Sequence, residues 1–87
     1  KQNYPNPFNP TTTIEFGIPA NGFVTLKIYD ILGQEVNSLV QSELVPGTYR
    51  YQWNGTDASS KSVETGIYFA RITAAGSEQI VKMMLIK

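Results

Sequence analysis

The ionisable side chains of this 87-residue chain restrict the chemistry it can perform. It contains no His and no Cys, so a serine nucleophile would have no imidazole base. Two facing carboxylates could still hydrolyse a glycosidic bond. The acidic residues, however, fall on predicted strand surfaces or turns of a chain with little volume for a cleft: Glu15, Asp30, Glu35, Glu43, Asp57, Glu64 and Glu78. We therefore expect a domain that is not an enzyme and uses no cofactor.

One polar segment, residues 54–66, carries oxygen ligands that could hold a metal ion. Asn54, Asp57 and Glu64 supply the hard oxygen atoms that Ca²⁺ prefers. The alternating acidic spacing of a dedicated calcium loop is absent, and Asn and Asp side chains in turns commonly bond the local backbone. We favour such Asx turns and keep these three residues as weak metal candidates.

Aromatic side chains offer a further possibility, the stacking of a sugar ring. Tyr49, Tyr51 and Trp53 share one face of a predicted strand, and in a domain with a thin core we expect that face to be buried. Tyr29 lies opposite the core face of its own strand. It is therefore the candidate for sugar stacking.

The charge balance argues against two classes of partner. Seven basic residues balance seven acidic ones without a basic cluster, so the electrostatic footprint of nucleic-acid or anionic-membrane binding is missing. The longest apolar run, MMLI at residues 83–86, is far shorter than the roughly 20 residues of a membrane-spanning helix. We expect no nucleic-acid partner and no transmembrane segment.

The elements that must position these residues are short strands, because apolar residues recur with period two. The alternating runs cover residues 14–18, 24–28, 49–53, 67–73 and 78–86, with a weaker run at 36–40. Turn formers separate them every eight to twelve residues or so. The pattern predicts an all-β fold, an antiparallel immunoglobulin-like β-sandwich of six or seven strands. Asn21-Gly22 favours a tight hairpin turn, so we expect the first two strands to be antiparallel neighbours.

Residues 1–11 form a proline-rich lead-in to a single domain that spans residues 1–87. Prolines fix φ and push the residues before them toward extended conformations, so we expect an ordered segment that Tyr4 and Phe8 pin onto the sandwich. The chain begins at Lys1 without a signal-peptide pattern, and we expect it to be a fragment of a longer protein.

Three short motifs follow one another along the chain. The motifs are Tyr4-Pro5-Asn6-Pro7, then Ile28-Tyr29-Asp30 with Gly33 and Val36, then Gly66-Ile67-Tyr68-Phe69 with Gly76, Lys82 and Lys87. Together they resemble the C-terminal sorting domains of the bacterial type IX secretion system, in particular those of type A. Residues 53–68 also look like the Ig-like domain of the flagellar hook-capping protein, whose loop usually carries a Gly where Ser60 stands here.

This resemblance implies a sorting signal at the C-terminus of a secreted cargo protein, with the cargo N-terminal to it in the same chain. The implied partner is the outer-membrane type IX secretion machinery, and the implied destination is the cell surface or the medium after transit through the periplasm and outer membrane. We expect the last strand and exposed loops to be recognised, with backbone edge pairing as one mode. Lys82 and Lys87 would supply polar contacts, or Lys82 would only keep an edge strand soluble.

An alternative function remains open at this point. The same sandwich pattern and aromatic content are compatible with a structural or carbohydrate-binding module appended to an extracellular enzyme, with Tyr29 as the stacking residue.

Overall fold

Six β-strands make up the fold in the part of the chain that the structure describes. The structure is a computed structural model, and it describes residues 11–74 and 76–86. The strands are β1 Thr12–Ile18, β2 Gly22–Tyr29, β3 Glu35–Leu44, β4 Gly47–Trp53, β5 Gly66–Ala74 and β6 Ser77–Leu85. The predicted all-β class is confirmed.

The strands are divided between two antiparallel sheets. One sheet contains β1 and β4, and the other has the order β3-β2-β5-β6. This arrangement confirms an immunoglobulin-like β-sandwich. The core between the sheets is formed by the inward-facing residues Ile14, Phe16, Ile18, Val24, Leu26, Ile28, Val40, Trp53, Tyr68, Ala70, Ile72, Ala74, Met83 and Leu85.

Period-two alternation explains how each sheet has one buried face. Along β5, Tyr68, Ala70 and Ile72 are buried, while Phe69 and Arg71 between them are not, because successive side chains of a strand point to opposite faces. Each large apolar side chain buried in this way contributes about 1.5–3 kcal/mol. The strand that sequence predicted at residues 67–73 is therefore confirmed together with its core face.

The expected hairpin between β1 and β2 is wrong. β1 pairs with β4, where Phe16 lies opposite Tyr49, and β2 lies between β3 and β5. Pro19 directly follows β1 and has no N–H to donate to a ladder, so the strand ends there. The chain then crosses to the other sheet before β2 begins at Gly22.

The polar segment after β4 is a structured loop. An isolated bridge joins Thr56 to Ser62, and the Val63 N–H donates to the carbonyl oxygen of Gly55 at 2.9 Å. Val63 packs against the core. The proline-rich lead-in, with Tyr4 and Phe8, lies outside the described residues apart from Thr11.

Candidate recognition surface

Two of the three motifs meet on the outer face of the four-stranded sheet. Tyr29 of β2 lies opposite Phe69 of β5, and Phe69 lies opposite Lys82 of β6. Their strand neighbours Ile28 and Ala70 are buried, so Tyr29, Phe69 and Lys82 point away from the core. Residues separated by more than fifty positions therefore form one row across three strands.

A tight turn at the end of β2 borders this row. Oδ1 of Asp30 accepts hydrogen bonds from the N–H groups of Leu32 and Gln34, both at 2.9 Å. The Gly33 N–H donates to the Asp30 carbonyl oxygen at 3.0 Å, and Gly33 has a φ of 83°, which glycine adopts without strain. Asp30 and Gly33 thus shape the turn that exposes Ile31 and Leu32 at its tip.

We call Tyr29, Asp30, Gly33, Phe69 and Lys82 the motif surface. It adjoins an open depression of about 550 Å³ whose lining is mostly apolar: Tyr29, Asp30, Ile31, Gly33, Phe69, Arg71, Glu78 and Ile80. A depression of this kind can accept a large side chain of a partner protein.

Arg71 and Glu78 form an ion pair on the outer face beside the row. Hydrogen bonding to the Glu78 carboxylate, followed by its negative charge and a hydrogen bond to the Tyr29 side chain, raises the pKa of Arg71. The guanidinium is therefore charged at any physiological pH. Together the pair gives one side of the depression polar character.

Tyr68 of the closing motif belongs to the core and not to the surface. Its hydroxyl donates to the carbonyl oxygen of Glu64 at 2.7 Å, in the manner of the tyrosine corner of immunoglobulin-like domains. Its ring meets the ring of Trp53 edge-on, with centroids 5.1 Å apart. Burial, with the nearby charges of Glu64 and then Asp30, raises the pKa of Tyr68.

The remaining predicted motif residues divide into two groups. Gly66 begins β5 opposite Leu85, and Gly76 lies in the turn between β5 and β6; neither belongs to the row. The others lie outside the described residues, and their roles stay predictions: Tyr4, Pro5, Asn6, Pro7 and Lys87.

The weak metal candidates use their oxygen atoms within the loop. Oδ1 of Asp57 accepts from the N–H groups of Ser59 at 2.9 Å and Lys61 at 3.0 Å, which confirms an Asx turn at Asp57. Oδ1 of Asn54 accepts from the Thr56 hydroxyl at 2.6 Å. Within residues 11–74 and 76–86, no three acidic side chains, Glu64 included, converge as a metal site.

The aromatic residues of β4 face the core, as expected. Trp53 is buried, and Tyr49 and Tyr51 pack against the core half-buried. The rings of Tyr49 and Tyr51 each stack against the ring of Phe16, with centroids 5.9 Å apart. Tyr29 is half-buried and lines the depression together with Phe69, so a ligand in the depression would meet both rings.

Sequence reasoning did not select Arg71, Glu78 and Ile80, which also line the depression. A usable signal was present, because Tyr68, Ala70 and Ile72 were predicted to face the core and the alternation places Arg71 on the opposite face. The proximity of these residues to Tyr29 is set by the registers of β5 against β2 and of β6 against β5, which the alternation does not give.

The fold and this surface define the class of protein: an immunoglobulin-like sandwich in which motifs distant in sequence lie together on one face of a sheet. The chain belongs to the secretion system C-terminal sorting domain family, whose family model matches residues 2–87. This match confirms the resemblance that the three motifs carried.

Solved structures with a similar fold include two FlgD proteins. FlgD from P. aeruginosa has a TM-score of 0.68 and 22% identity, over 86% of this chain and 60% of that chain. FlgD from Xanthomonas campestris, whose structure was described for its insights into the hook capping essential for flagellar assembly, has a TM-score of 0.67 and 24% identity, over 87% of this chain and 57% of that chain. This chain thus spans less than two thirds of either FlgD, and the likeness shows the shared fold.

Two further results complete the comparison. No curated protein matches the chain. In the described ranges, no helix is long and apolar enough to cross a membrane.

Proposed function

We propose that this domain directs an N-terminal cargo through the type IX secretion system to the cell surface or the medium. It acts as a folded, non-catalytic signal that the outer-membrane machinery binds through the motif surface. Family membership supports the general role, and the arrangement of the motif residues supports the proposed binding surface.

The single observation that carries the proposal is the row Tyr29–Phe69–Lys82. A motif needed only for folding would place its side chains in the core, as Tyr68 does. The row instead combines two aromatic rings with an exposed lysine on the outer sheet face. Aromatic rings beside an open depression are typical of the anchors that dominate protein–protein interfaces, and the lysine places a positive charge beside them.

The turn at Asp30 extends this surface beyond the sheet. Ile31 and Leu32 are 69% and 78% exposed, although solvent exposure of large apolar side chains is unfavourable. The Asp30 hydrogen bonds hold the turn without help from core packing. A partner that covers the turn and the depression would bury these side chains.

A reporter fusion tests the proposal. Residues 1–87 are placed behind a reporter protein that carries its own signal peptide for export to the periplasm. The fusion is expressed in a bacterium with a functional type IX system, and in the same strain without the translocon. We expect the reporter outside the cell in the first strain and in the periplasm in the second. Retention in the periplasm of both strains would contradict the proposed function.

Surface variants of the same fusion test the proposed binding face. The double variant Tyr29→Ala, Lys82→Ala is expected to lower export about tenfold, in line with the loss of interface anchors. The matched control is Arg50→Ala, Gln52→Ala, at exposed positions on the outer face of the other sheet. Equal export by both double variants, with both folded, would remove the motif surface from the proposal.

A second candidate function is carbohydrate binding at the depression. The observation that favours it is Tyr29 beside a guanidinium and a carboxylate, because sugars stack on aromatic rings and hydrogen bond to charged planar groups. A glycan array with millimolar titration of the purified domain tests this function. Absence of binding, with no difference in Tyr29→Ala, would exclude it.

A further inference from the structure

The two edges of the four-stranded sheet differ in their protection against pairing. At one edge, β3 pairs with β2 through register shifts between Leu26 and Lys27 and between Ile28 and Tyr29, and such irregularities bend an edge strand away from a straight ladder. At the other edge, β6 pairs with β5 without any shift from Ser77 to Leu85. Alternate residues of β6 direct their N–H and C=O groups away from β5.

The outward side chains repeat this contrast. On β6, Ile80 and Met84 are 61% and 62% exposed, and the strand contains no proline. On β3, the exposed positions include Gln41 and Glu43. A long, straight edge with exposed apolar side chains can accept another strand, whereas prolines and bulges normally prevent it. Lysine also guards edge strands, so Lys82 of β6 must find an opposite charge across the pair.

Lys82 is the one cationic side chain within β6, and it lies between Ile80 and Met84 on the outer face. It makes no ion pair with the residues that the structure describes. Two positions before Ile80 on the same face stands Glu78. The outer face of β6 therefore presents an anion at Glu78, an apolar side chain at Ile80 and a cation at Lys82, each two residues apart.

This pattern is complementary to itself when two copies run antiparallel. With Ile80 on the two-fold axis, Glu78 of each copy lies opposite Lys82 of the other, and the two Ile80 side chains meet. Glu78 already accepts a hydrogen bond from Arg71, but a carboxylate has lone pairs for further donors. The net charge of zero adds no long-range repulsion.

We propose that the edge of β6 that no other described strand pairs with pairs with β6 of a second copy of this chain. Two four-stranded sheets then join into one antiparallel sheet of eight strands. This inference does not depend on the sorting function. Because the contact is limited to one strand and its outer side chains, the dimer is weak and its population rises with concentration.

Sedimentation equilibrium and amide hydrogen exchange test this pairing on the full chain between micromolar and millimolar concentration. We expect the average mass to rise toward twice that of the monomer, while alternate amides of β6 gain protection and those of β3 do not. A mass that stays monomeric at millimolar concentration would overturn the proposal. Association that protects β3 or neither edge would overturn it as well.

Charge variants identify the register. Lys82→Glu places like charges opposite each other twice, so the dimer is expected to weaken about tenfold. Because Glu78 also pairs with Arg71, the rescue variant is Arg71→Glu, Glu78→Lys, Lys82→Glu, which reverses all three charges and should restore association. Lys61→Glu makes the same change in net charge in an exposed loop and should have no effect. An unchanged dimer in Lys82→Glu, or no restoration in the folded triple variant, would exclude this register.

Discussion

Asn37 and Trp53 donate hydrogen bonds to the same atom, the carbonyl oxygen of Thr56, although they lie in different sheets. The distances to that oxygen are 2.9 Å from Asn37 Nδ2 and 2.8 Å from Trp53 Nε1. Asn37 belongs to β3 and Trp53 to β4. One loop carbonyl therefore links the two layers of the sandwich.

Removal of both donors should cost more than the sum of the single removals. Asn37→Ala and Trp53→Phe each leave one hydrogen bond to the Thr56 carbonyl. Asn37→Ala should lower the free energy of unfolding by about 1 kcal/mol. Trp53→Phe should lower it by about 2–3 kcal/mol, because it also shrinks a fully buried ring and leaves a cavity. The double variant leaves that carbonyl without either donor, which adds a desolvation penalty. Urea unfolding of the four proteins gives the coupling energy. Additivity within about 0.5 kcal/mol would contradict a shared acceptor.

Local alternation made much of the fold predictable. The core faces of β5 and β4 follow from residues two apart, because strand geometry alone sets which side chains share a face. Which strands pair with each other, in contrast, depends on contacts between residues that are distant in sequence. Nothing in residues 12–22 indicates that Phe16 stacks on Tyr49 and Tyr51, and the Asn21-Gly22 pair suggested a hairpin that the structure does not contain.

The candidate surface was predictable only in its parts. Sequence identified Tyr29, Asp30, Gly33 and Lys82 as motif residues. Whether they lie close together, however, depends on two strand registers, that of β2 with β5 and that of β5 with β6. The register between β5 and β6 follows from their short turn, while the register between β2 and β5 joins strands that are distant in sequence. Cross-strand packing fixes that second register, and a local pattern does not contain it.

Ser60 has a φ of 66°, in the left-handed region that disfavours residues with a Cβ atom. Ser60→Gly relieves this backbone strain but also gives the unfolded chain more conformational entropy. Because the free energy of the strain is the larger of the two, the variant should raise the free energy of unfolding by about 0.5–1 kcal/mol. The comparison variant is Ser59→Gly, which has no positive φ to relieve and should lower stability. Thermal unfolding measures both. A lower stability of Ser60→Gly would contradict strain at this position.

Gly55 has a φ of 75°, and a Cβ atom added to it would lie 3.1 Å from Cδ2 of Leu85. Gly33 has a similar φ of 83°, and no atom of the described residues lies within 4 Å of such a Cβ. Both Gly→Ala variants place a Cβ atom on a residue with positive φ, which destabilises the folded state, but only Gly55→Ala must also displace the buried side chain of Leu85. Gly55→Ala should be less stable than Gly33→Ala by about 1 kcal/mol or more. Equal losses in urea unfolding would show that Leu85 adjusts freely.

The raised pKa of Tyr68 predicts a stability loss in alkali. The folded state holds the phenol proton more tightly than the unfolded chain, whose tyrosine has a pKa of about 10. The contribution of Tyr68 is therefore complete below that pH and is lost as the pH rises through the folded pKa. Tyr68→Phe removes this titration along with the hydrogen bond to Glu64. Its stability should fall less steeply above pH 10 than that of the parent, and parallel curves would contradict the prediction.

β6 combines residues of the core with residues of the candidate recognition surface. Met83 and Leu85 are 6% and 3% exposed, whereas Lys82 points to solvent. Loss of each buried side chain costs about 2–5 kcal/mol, against a total stability of about 5–15 kcal/mol for an ordinary domain. Deletion of residues 82–87 would therefore damage the fold and the recognition surface at once.

Lys82→Ala separates these two effects. The deletion should abolish export of a reporter fusion and also the cooperative unfolding transition. Lys82→Ala should reduce export while its free energy of unfolding stays within about 0.5 kcal/mol of the parent, because the side chain is exposed. Lys61→Ala, another exposed lysine, should leave export and stability unchanged. If Lys82→Ala is exported as well as the parent, Lys82 is not a recognition contact.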